Sequence, residues 1–483
     1  MKKTILQLCV SYSAAQFAQA TQWTDWVLED VSYAVGFAYQ VNGSKTVLIR
    51  EVLKPGTTEI DRSRYRVEPS PEYLCRLYDK AQALGASCVV QHHTHPFSKH
   101  PDFSGIDDEA AYRLHHDLRQ INPRVEIVQV VHGRDNHHAK ARILNTTNGE
   151  NRFDYFEDIT LTGPAGIQKY PGTQTASLPA CDAIKVPAQE ERNARAFGVN
   201  GVEALHDLRV LILGTGGLGS AMAYQLSRLG FWRITVYDCQ RIEATNVNRF
   251  YFVTKPRTAI GRFKASYVAR GMRLFNPAGK YRAINASIFD ERVAAGAIKE
   301  SDIVVMAVDH DAPRCVAMAL AARYGKPLVN VSNAIYLDEL QKIKGAFVSC
   351  QWFIPREDNY PCLRCQGGIN DKEVEAAFMS ERLKRLRQKA GYVVGTPESP
   401  NAQVIPINSA AAGIAAWELT VWACGIRSPS PWIHYDLMNN SFQVLQGSGD
   451  PDCTVCGSSP ASCLATGDAD FVGGPKNKKE EKS

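Results

Sequence analysis

Where an apolar run ends in Gln91-His-His93-Thr-His95-Pro96, two histidines at i, i+2 on a strand present their rings to one face, as two ligands of one metal must. Ser104-x-x-Asp107 opens a helical pattern shortly afterwards, a pair that by itself is often a helix capping box. A different chemistry is suggested by Gly214-Thr-Gly216-Gly217-Leu-Gly219, which sits between a strand and a helix. Glycines there let the backbone approach a phosphate, and the helix N-terminus supplies unpaired N–H donors. Asp238, at the end of the following strand, is placed to accept from ribose hydroxyls, and the combination indicates an adenine nucleotide. By itself that fingerprint fits an NAD-dependent dehydrogenase as well as an ATP enzyme. Asn246-Val-Asn-Arg249 and Gly261-Arg-Phe-Lys264 then add an amide and two cations, more positive charge than a diphosphate needs, and they suit a triphosphate. Asp309 ends a buried strand at the edge where open α/β sheets bind ligands and is a candidate Mg2+ ligand. Last, Cys362-Leu-Arg-Cys365 and Cys453-Thr-Val-Cys456 supply four soft ligands suited to a structural, tetrahedral Zn2+.

The elements that must position these groups are legible in the hydrophobic pattern. Val31–Gln40 and Lys45–Leu53 read as strands joined by the Asn42-Gly43-Ser44 turn, followed by a helix over Pro71–Leu84 and a short buried strand over Ser87–Gln91, an α+β pattern. Ahead of them, Ile5, Leu8, Tyr12 and Ala15 suit an amphipathic helix. Met1-Lys2-Lys3 and Ala18-Gln19-Ala20 imitate a secretory signal, but Gln7 and Ser11 interrupt the apolar run between them. From Thr162 to Gln189 the composition turns to Pro, Gly, Ser and Thr, as in a linker. Beyond it, Arg209–Leu213, Ser220–Leu229 and Arg233–Tyr237 form a βαβ unit, and Asp302–Val308 and Pro327–Val331 add buried strands. The expected architecture is therefore an amino-terminal α+β domain over 1–155, a linker over 156–189, a doubly wound, Rossmann-like α/β domain over 190–457 and a tail over 458–483.

Composition bounds the rest. A chain of 483 residues, 45% hydrophobic and 22% charged, can fill two cores. Its formal charge of +5 is spread over 55 basic and 50 acidic residues, which argues against nucleic acid as the main partner. No apolar run reaches the ~18–20 residues that span a bilayer. Thirteen cysteines, an odd number with four in C-x-x-C pairs, indicate metal binding in a reducing, cytoplasmic setting.

Over about Glu190–Gly457 the glycine turn, Asp238, Asn246-x-x-Arg249, Lys264, Asp309 and the upstream Arg192-x-x-Arg195 resemble the ubiquitin-activating/ThiF/MoeB family. The resemblance implies that the acid holds the ribose, that Asn246, Arg249 and Lys264 contact the phosphates of ATP, and that Asp309 binds Mg2+. It further implies a homodimer in which Arg195 reaches the neighbouring subunit's nucleotide, and zinc at the two cysteine pairs. Many members carry a thioester cysteine after the first pair; Gln366–Pro406 contains none, and Cys463, Cys181 and Cys239 are the stand-ins.

The amino-terminal histidines, Ser104 and Asp107, with Glu29 seven residues before Gly36, resemble the JAMM (JAB/MPN) metalloproteases over about residues 1–150. That resemblance implies a catalytic Zn2+ on His93, His95 and Asp107, Glu29 as general base with Glu51 the weaker candidate, and Ser104 beside the oxyanion. Both halves would then act on the glycine tail of a ubiquitin-like protein, one cleaving after it and one adenylating it. A ubiquitin-conjugating-type protein is an expected further partner, with antiviral defence as one setting. The alternatives are a sulfur-carrier adenylyltransferase for cofactor or amino-acid synthesis, a catalytically dead binding module and a dehydrogenase.

Overall fold

The computed structural model describes residues 7–23, 27–134, 138–146, 151–171, 187–379 and 402–469. The amino-terminal half is built on strands β1 (Gln7–Ser13), β2 (Val31–Val41), β3 (Ser44–Leu53), β6 (Cys88–Thr94), β7 (Glu126–His132), β8 (Ala139–Asn145), β9 (Arg152–Tyr155), β10 (Asp158–Gly163) and β11 (Gly166–Pro171). They form one nine-stranded sheet in the order β11-β10-β1-β3-β2-β6-β7-β8-β9. A separate two-stranded hairpin, β4 (Ile60–Arg62) and β5 (Val67–Pro69), projects between β3 and β6. Helices α1 (Ala14–Ala20), α2 (Pro71–Leu84) and α3 (Gly105–Arg119) accompany the sheet. Every residue of β6 is buried, so the strand that carries the histidines is held from both faces.

Two expectations are corrected here. The helix expected around Ile5–Ala15 is instead the strand β1, followed by α1. Val10 and Tyr12 alternate inward along β1, which pairs in parallel with both β3 and β10, so long-range pairing overrides a locally helical spacing. The helix is displaced to residue 14 because Ser13 and Gln16 close a reciprocal capping box. The linker expected from 156 also begins later: β10 and β11 complete the sheet, with Ile159 and Leu161 buried at alternate positions. Threonine and glycine there belong to a strand and its turn, and composition alone could not distinguish that from a linker.

The second half is an eight-stranded sheet, β14-β13-β12-β15-β16-β17-β18-β19. Its members are β12 (Arg209–Leu213), β13 (Arg233–Tyr237), β14 (Lys280–Ile284), β15 (Ile303–Met306), β16 (Leu328–Leu337), β17 (Ile343–Phe353), β18 (Trp432–Asp436) and β19 (Ser441–Leu445). The five strands β14-β13-β12-β15-β16 pair in parallel and the rest antiparallel. The chain leaves β12 in one direction for β13 and returns on the other side as β15, so a switch point opens between β12 and β15, where open α/β sheets bind ligands. Helices α4 (Glu191–Asp207), α5 (Gly217–Leu229), α6 (Lys264–Phe275), α7 (Asp311–Arg323) and α8 (Ile405–Ala423) pack around this sheet.

The tail expectation over 458–483 is also corrected for 458–469; the residues from 470 lie outside the described ones. Arg50 of β3, 2% exposed, donates to the carbonyl of Ser459 at 2.8 Å and to that of Leu464. Asp468 pairs with Lys299 at 2.6 Å and accepts from the backbone N–H of Gln40 at 3.3 Å. Tyr39 and Leu48 of the first sheet share a core with Met306, Ala321 and Leu464 of the second half. The segment therefore straps the two domains together. Among the described residues no helix is long and apolar enough to cross a membrane.

Candidate functional site

The turn after β12 is built on steric grounds before any ligand is considered. Gly214 has φ +83, and a Cβ there would lie 2.8 Å from the carbonyl oxygen of Ala307; a Cβ on Gly219 would meet the Gly214 oxygen at 1.9 Å. Only glycine at both positions lets α5 start this close to the ends of β12 and β15. A cleft of about 810 Å³ opens above the turn, lined by Gly214, Gly216, Gly217, Asp238, Asn246, Arg249, Lys264 and Asp309. Every nucleotide-site residue proposed from the sequence except Gly219 and Arg195 thus faces one cavity. Gly219 lies beneath the turn, and Arg195 is an exposed residue of α4 paired with Glu191 at 2.5 Å.

The polar groups of the cleft hold one another in place. Asp238 accepts from the N–H of Thr215 at 2.8 Å, from its hydroxyl at 3.0 Å and from the N–H of Gln240 at 2.7 Å, so the carboxylate also ties the glycine turn to β13. Lys264, the first residue of α6 and only 8% exposed, donates to Gln240 Oε1 at 2.7 Å. Arg249 donates to Gln403 Oε1 at 3.1 Å, to the carbonyl of Thr245 at 2.6 Å and to Asn248 Oδ1 at 3.0 Å. Neither cation has a carboxylate partner among the described residues. Asn246 commits its side-chain oxygen to the N–H of Glu243 at 3.0 Å, capping its own turn. Asp309 is exposed at the mouth, with His310 Nε2 3.8 Å away.

Sequence reasoning passed over Thr215, Gln240, Gln403 and Glu373. Gln240 carried a faint signal, standing two residues past Asp238 in the loop after β13. Gln403 carried none, because its contact with Arg249 spans 154 residues of chain.

The two cysteine pairs meet as expected. Sγ atoms lie 3.8 Å apart for Cys362–Cys365, 3.7 Å for Cys362–Cys453 and 3.6 Å for Cys365–Cys456. A tetrahedron of sulfurs about 2.3 Å from a zinc ion has edges of about 3.8 Å, so the donor set fits that metal. Burial and neighbouring sulfurs push the Cys365 thiol up, while hydrogen bonding from Cys362 draws Cys456 down. Four thiols at these distances cannot all ionise without a cation between them. Of the stand-in cysteines, Cys463 is 3% exposed and burial pushes it up to about 11, which removes it as a nucleophile. Cys239 is exposed and lines the cleft, and Cys181 lies outside the described residues.

In the amino-terminal domain β6 delivers His93 and the turn after it His95, while Asp107 comes from the first turn of α3, one ligand atom from each lying within 4.8 Å of the others. Asp107 Oδ1 is 3.0 Å from His93 Nε2 and Oδ2 is 3.8 Å from His95 Nε2. The 3.0 Å approach lacks hydrogen-bond alignment, so both ring nitrogens of His93 are buried without a hydrogen-bond partner. An orphaned buried imidazole beside a carboxylate fits a metal ion. Burial raises Asp107, but His93 and the Ser104 donors outweigh it and hold the carboxyl well below the usual range. Burial first, then His93, lowers His95 to about 4, keeping it a neutral ligand. Ser104 caps α3, its hydroxyl donating to Asp107 Oδ2 at 2.8 Å, so in this arrangement it orients the ligand. Glu29 is half-buried, and burial with Asp107 pushes it up to about 7 against the pull of His93, in the range of a general base. Glu51 is instead paired with Lys80 at 3.0 Å. His92 points to the opposite face, 3.1 Å from Tyr12 Oη and 3.1 Å from His132, and is not a ligand.

Comparison with known proteins covers the second half. The ThiF family model matches residues 190–455. Molybdopterin-synthase adenylyltransferase of Escherichia coli is 25% identical over 273 residues, 54% of this chain and 92% of the relative. Adenylyltransferase and sulfurtransferase uba4 of Emericella nidulans is 33% identical over 259 residues, 48% of this chain and 53% of the relative. Ubiquitin-like modifier-activating enzyme 5 of Gallus gallus is 23% identical over 267 residues, 53% of this chain and 60% of the relative. For the last two, the match takes in less than two thirds of the relative's length.

Proposed function

The chain belongs to the ThiF family and is an adenylyltransferase, and from that premise we propose that it uses ATP to adenylate the C-terminal carboxylate of a small ubiquitin-like or sulfur-carrier protein. One observation carries the reading: Lys264 and Arg249 face the same cleft as the glycine turn, and their nitrogens meet only neutral oxygens. Cations held in a cleft with no carboxylate bonded to them among the described residues call for an anionic ligand. In the reaction a carboxylate oxygen bonds to the α-phosphorus, the bond to the bridging oxygen of the β-phosphate breaks and pyrophosphate leaves. Lys264 and Arg249 neutralise the charge that builds on the phosphate oxygens, and the N–H groups at the start of α5 add to it. Asp238 accepts from the ribose. Mg2+, when bound, offsets phosphate charge, and Asp309 is the residue that would hold it. Adenylation itself needs no protein nucleophile; of the cysteines that a later thioester step could use, Cys463 is buried while Cys239 is exposed in the cleft. Arg195, exposed on α4, is available to a second subunit's nucleotide in a homodimer.

For the amino-terminal domain the reading is hydrolysis of the peptide or isopeptide bond that follows the same tail. His93, His95 and Asp107 would hold Zn2+, whose Lewis acidity activates water. Glu29 would take the proton from that water, and Ser104 would keep Asp107 in position. A second, structural Zn2+ fits the four cysteines.

The decisive measurement is ATP–pyrophosphate exchange with added carrier proteins ending in glycine. Exchange should depend on the carrier and vanish in Asp309→Ala. Exchange without any carrier, or none with every carrier tried, would overturn the proposal.

A further inference from the structure

Beside the amino-terminal metal centre lies a surface that neither the ligands nor the sheet requires. The loop Arg62-Ser-Arg-Tyr-Arg66 between β4 and β5 is tied to the site, because the N–H of Glu29 donates to the carbonyl of Ser63 at 3.0 Å. Two of its cations are already paired, Arg62 with Asp30 at 3.4 Å and Arg66 with Glu68. Arg64 makes no ion pair among the described residues. Its guanidinium lies 4.4 Å from the centre of the Phe97 ring and 5.7 Å from that of Tyr65. The two rings are 5.8 Å apart, and both face solvent, Tyr65 70% exposed and Phe97 46%.

Phe97 stands two residues beyond His95, in a turn where the N–H of Ser98 donates to the His95 carbonyl at 3.1 Å, so the platform is carried by the segment that supplies this ligand. A guanidinium stacked on ring faces keeps its in-plane N–H groups free, and those are the donors that take a carboxylate in a fork. Exposed rings on either side would shelter such a contact and carry the polypeptide leading to it.

We propose that Arg64, Tyr65 and Phe97 form a specificity subsite for a polypeptide substrate with an acidic side chain close to the bond to be cut. Arg64 binds the carboxylate, and the chain lies across the two rings. The subsite rests on the hydrolase reading of His93, His95 and Asp107 and adds to it the kind of sequence that is favoured.

The test uses fluorescein-labelled peptides in which Gly-Gly is followed two residues later by Glu or by Gln, each with a free and an amidated C-terminus. Binding to the full-length, zinc-loaded Glu29→Gln protein is read by anisotropy. The Glu peptides should bind about tenfold more tightly than the Gln peptides, as a charge-assisted fork predicts. The preference should disappear in Arg64→Ala, persist in Arg66→Ala and weaken as salt is raised. Equal binding of Glu and Gln peptides, equal weakening of both by Arg64→Ala, or a preference that follows the terminal carboxylate instead of the side chain overturns the subsite. Should the preference hold while the unsubstituted protein cuts neither the peptides nor any carrier extension, the hydrolase reading fails and with it the specificity role, and Arg64 is left as a binding site for acidic peptides. Cleavage of both peptides at equal rates and affinities gives the reverse result.

Discussion

At Cys362, Cys365, Cys453 and Cys456 four sulfurs close around one point, whereas at His93, His95 and Asp107 three harder ligands gather with half-buried Glu29 beside them. The first set is complete: soft, four-cornered, and continued directly into the segment that straps the domains together. The second gathers three ligands, and one of its imidazoles has no hydrogen-bond partner among the described residues. Metal affinity alone would favour closing both. On the proposed reading an open corner would admit a reactant, and the difference between the two groups would separate holding the fold from acting on a substrate.

The contrast can be broken in several ways. Short of outright loss, the largest effect is expected from Lys264→Ala, which should lower carrier-dependent ATP–pyrophosphate exchange by roughly 10²–10³-fold, as loss of a charge-stabilising donor does. His93→Ala should leave exchange intact and abolish cleavage; loss of both activities would mean that the two sites are one functional unit. Next, dialysis against a chelator should strip the histidine-bound ion while the sulfur-bound one remains, read by elemental analysis. Cys453→Ser should instead lower the melting temperature, because structural zinc binding is folding free energy, of order 10 kcal/mol in small zinc domains and less where a core already exists. If the chelator removes both ions equally, the open-versus-closed distinction fails. Arg50→Ala should cost about 1.5–3 kcal/mol in unfolding free energy, since a buried guanidinium bonded to Ser459 and Leu464 carbonyls is lost, and proteolysis of the segment after Cys456 should quicken. The smallest effect is expected from Gln240→Ala, which frees Lys264 without removing it and should raise the KM for ATP several-fold with kcat little changed. A large fall in kcat would instead place Gln240 against the reacting phosphates.

Much of the nucleotide cleft was legible because its parts follow one another at the carboxyl ends of successive strands: Gly214 after β12, Asp238 after β13, Asp309 after β15. Local pattern places such residues, and sheet topology then has little freedom to separate them. The histidine pair and the capping Ser104 were readable for the same reason, their geometry being set within a few residues. Misreadings fell where pairing partners are remote. β1 looks helical until β3 and β10 flank it, and β10 looks like linker until Ile159 and Leu161 are seen to face a core.

Residue order and spacing determined which side chains could bind a nucleotide or a metal, because those roles depend on short intervals along strands, turns and helix starts. Tertiary structure alone decided that Gln403 steadies Arg249, that Arg50 clasps the chain beyond the second cysteine pair, and that the Arg64 guanidinium lies over the Phe97 ring. Each of those contacts joins segments far apart in sequence, and their energy comes from burial and hydrogen bonding that exist only once the sheets have assembled.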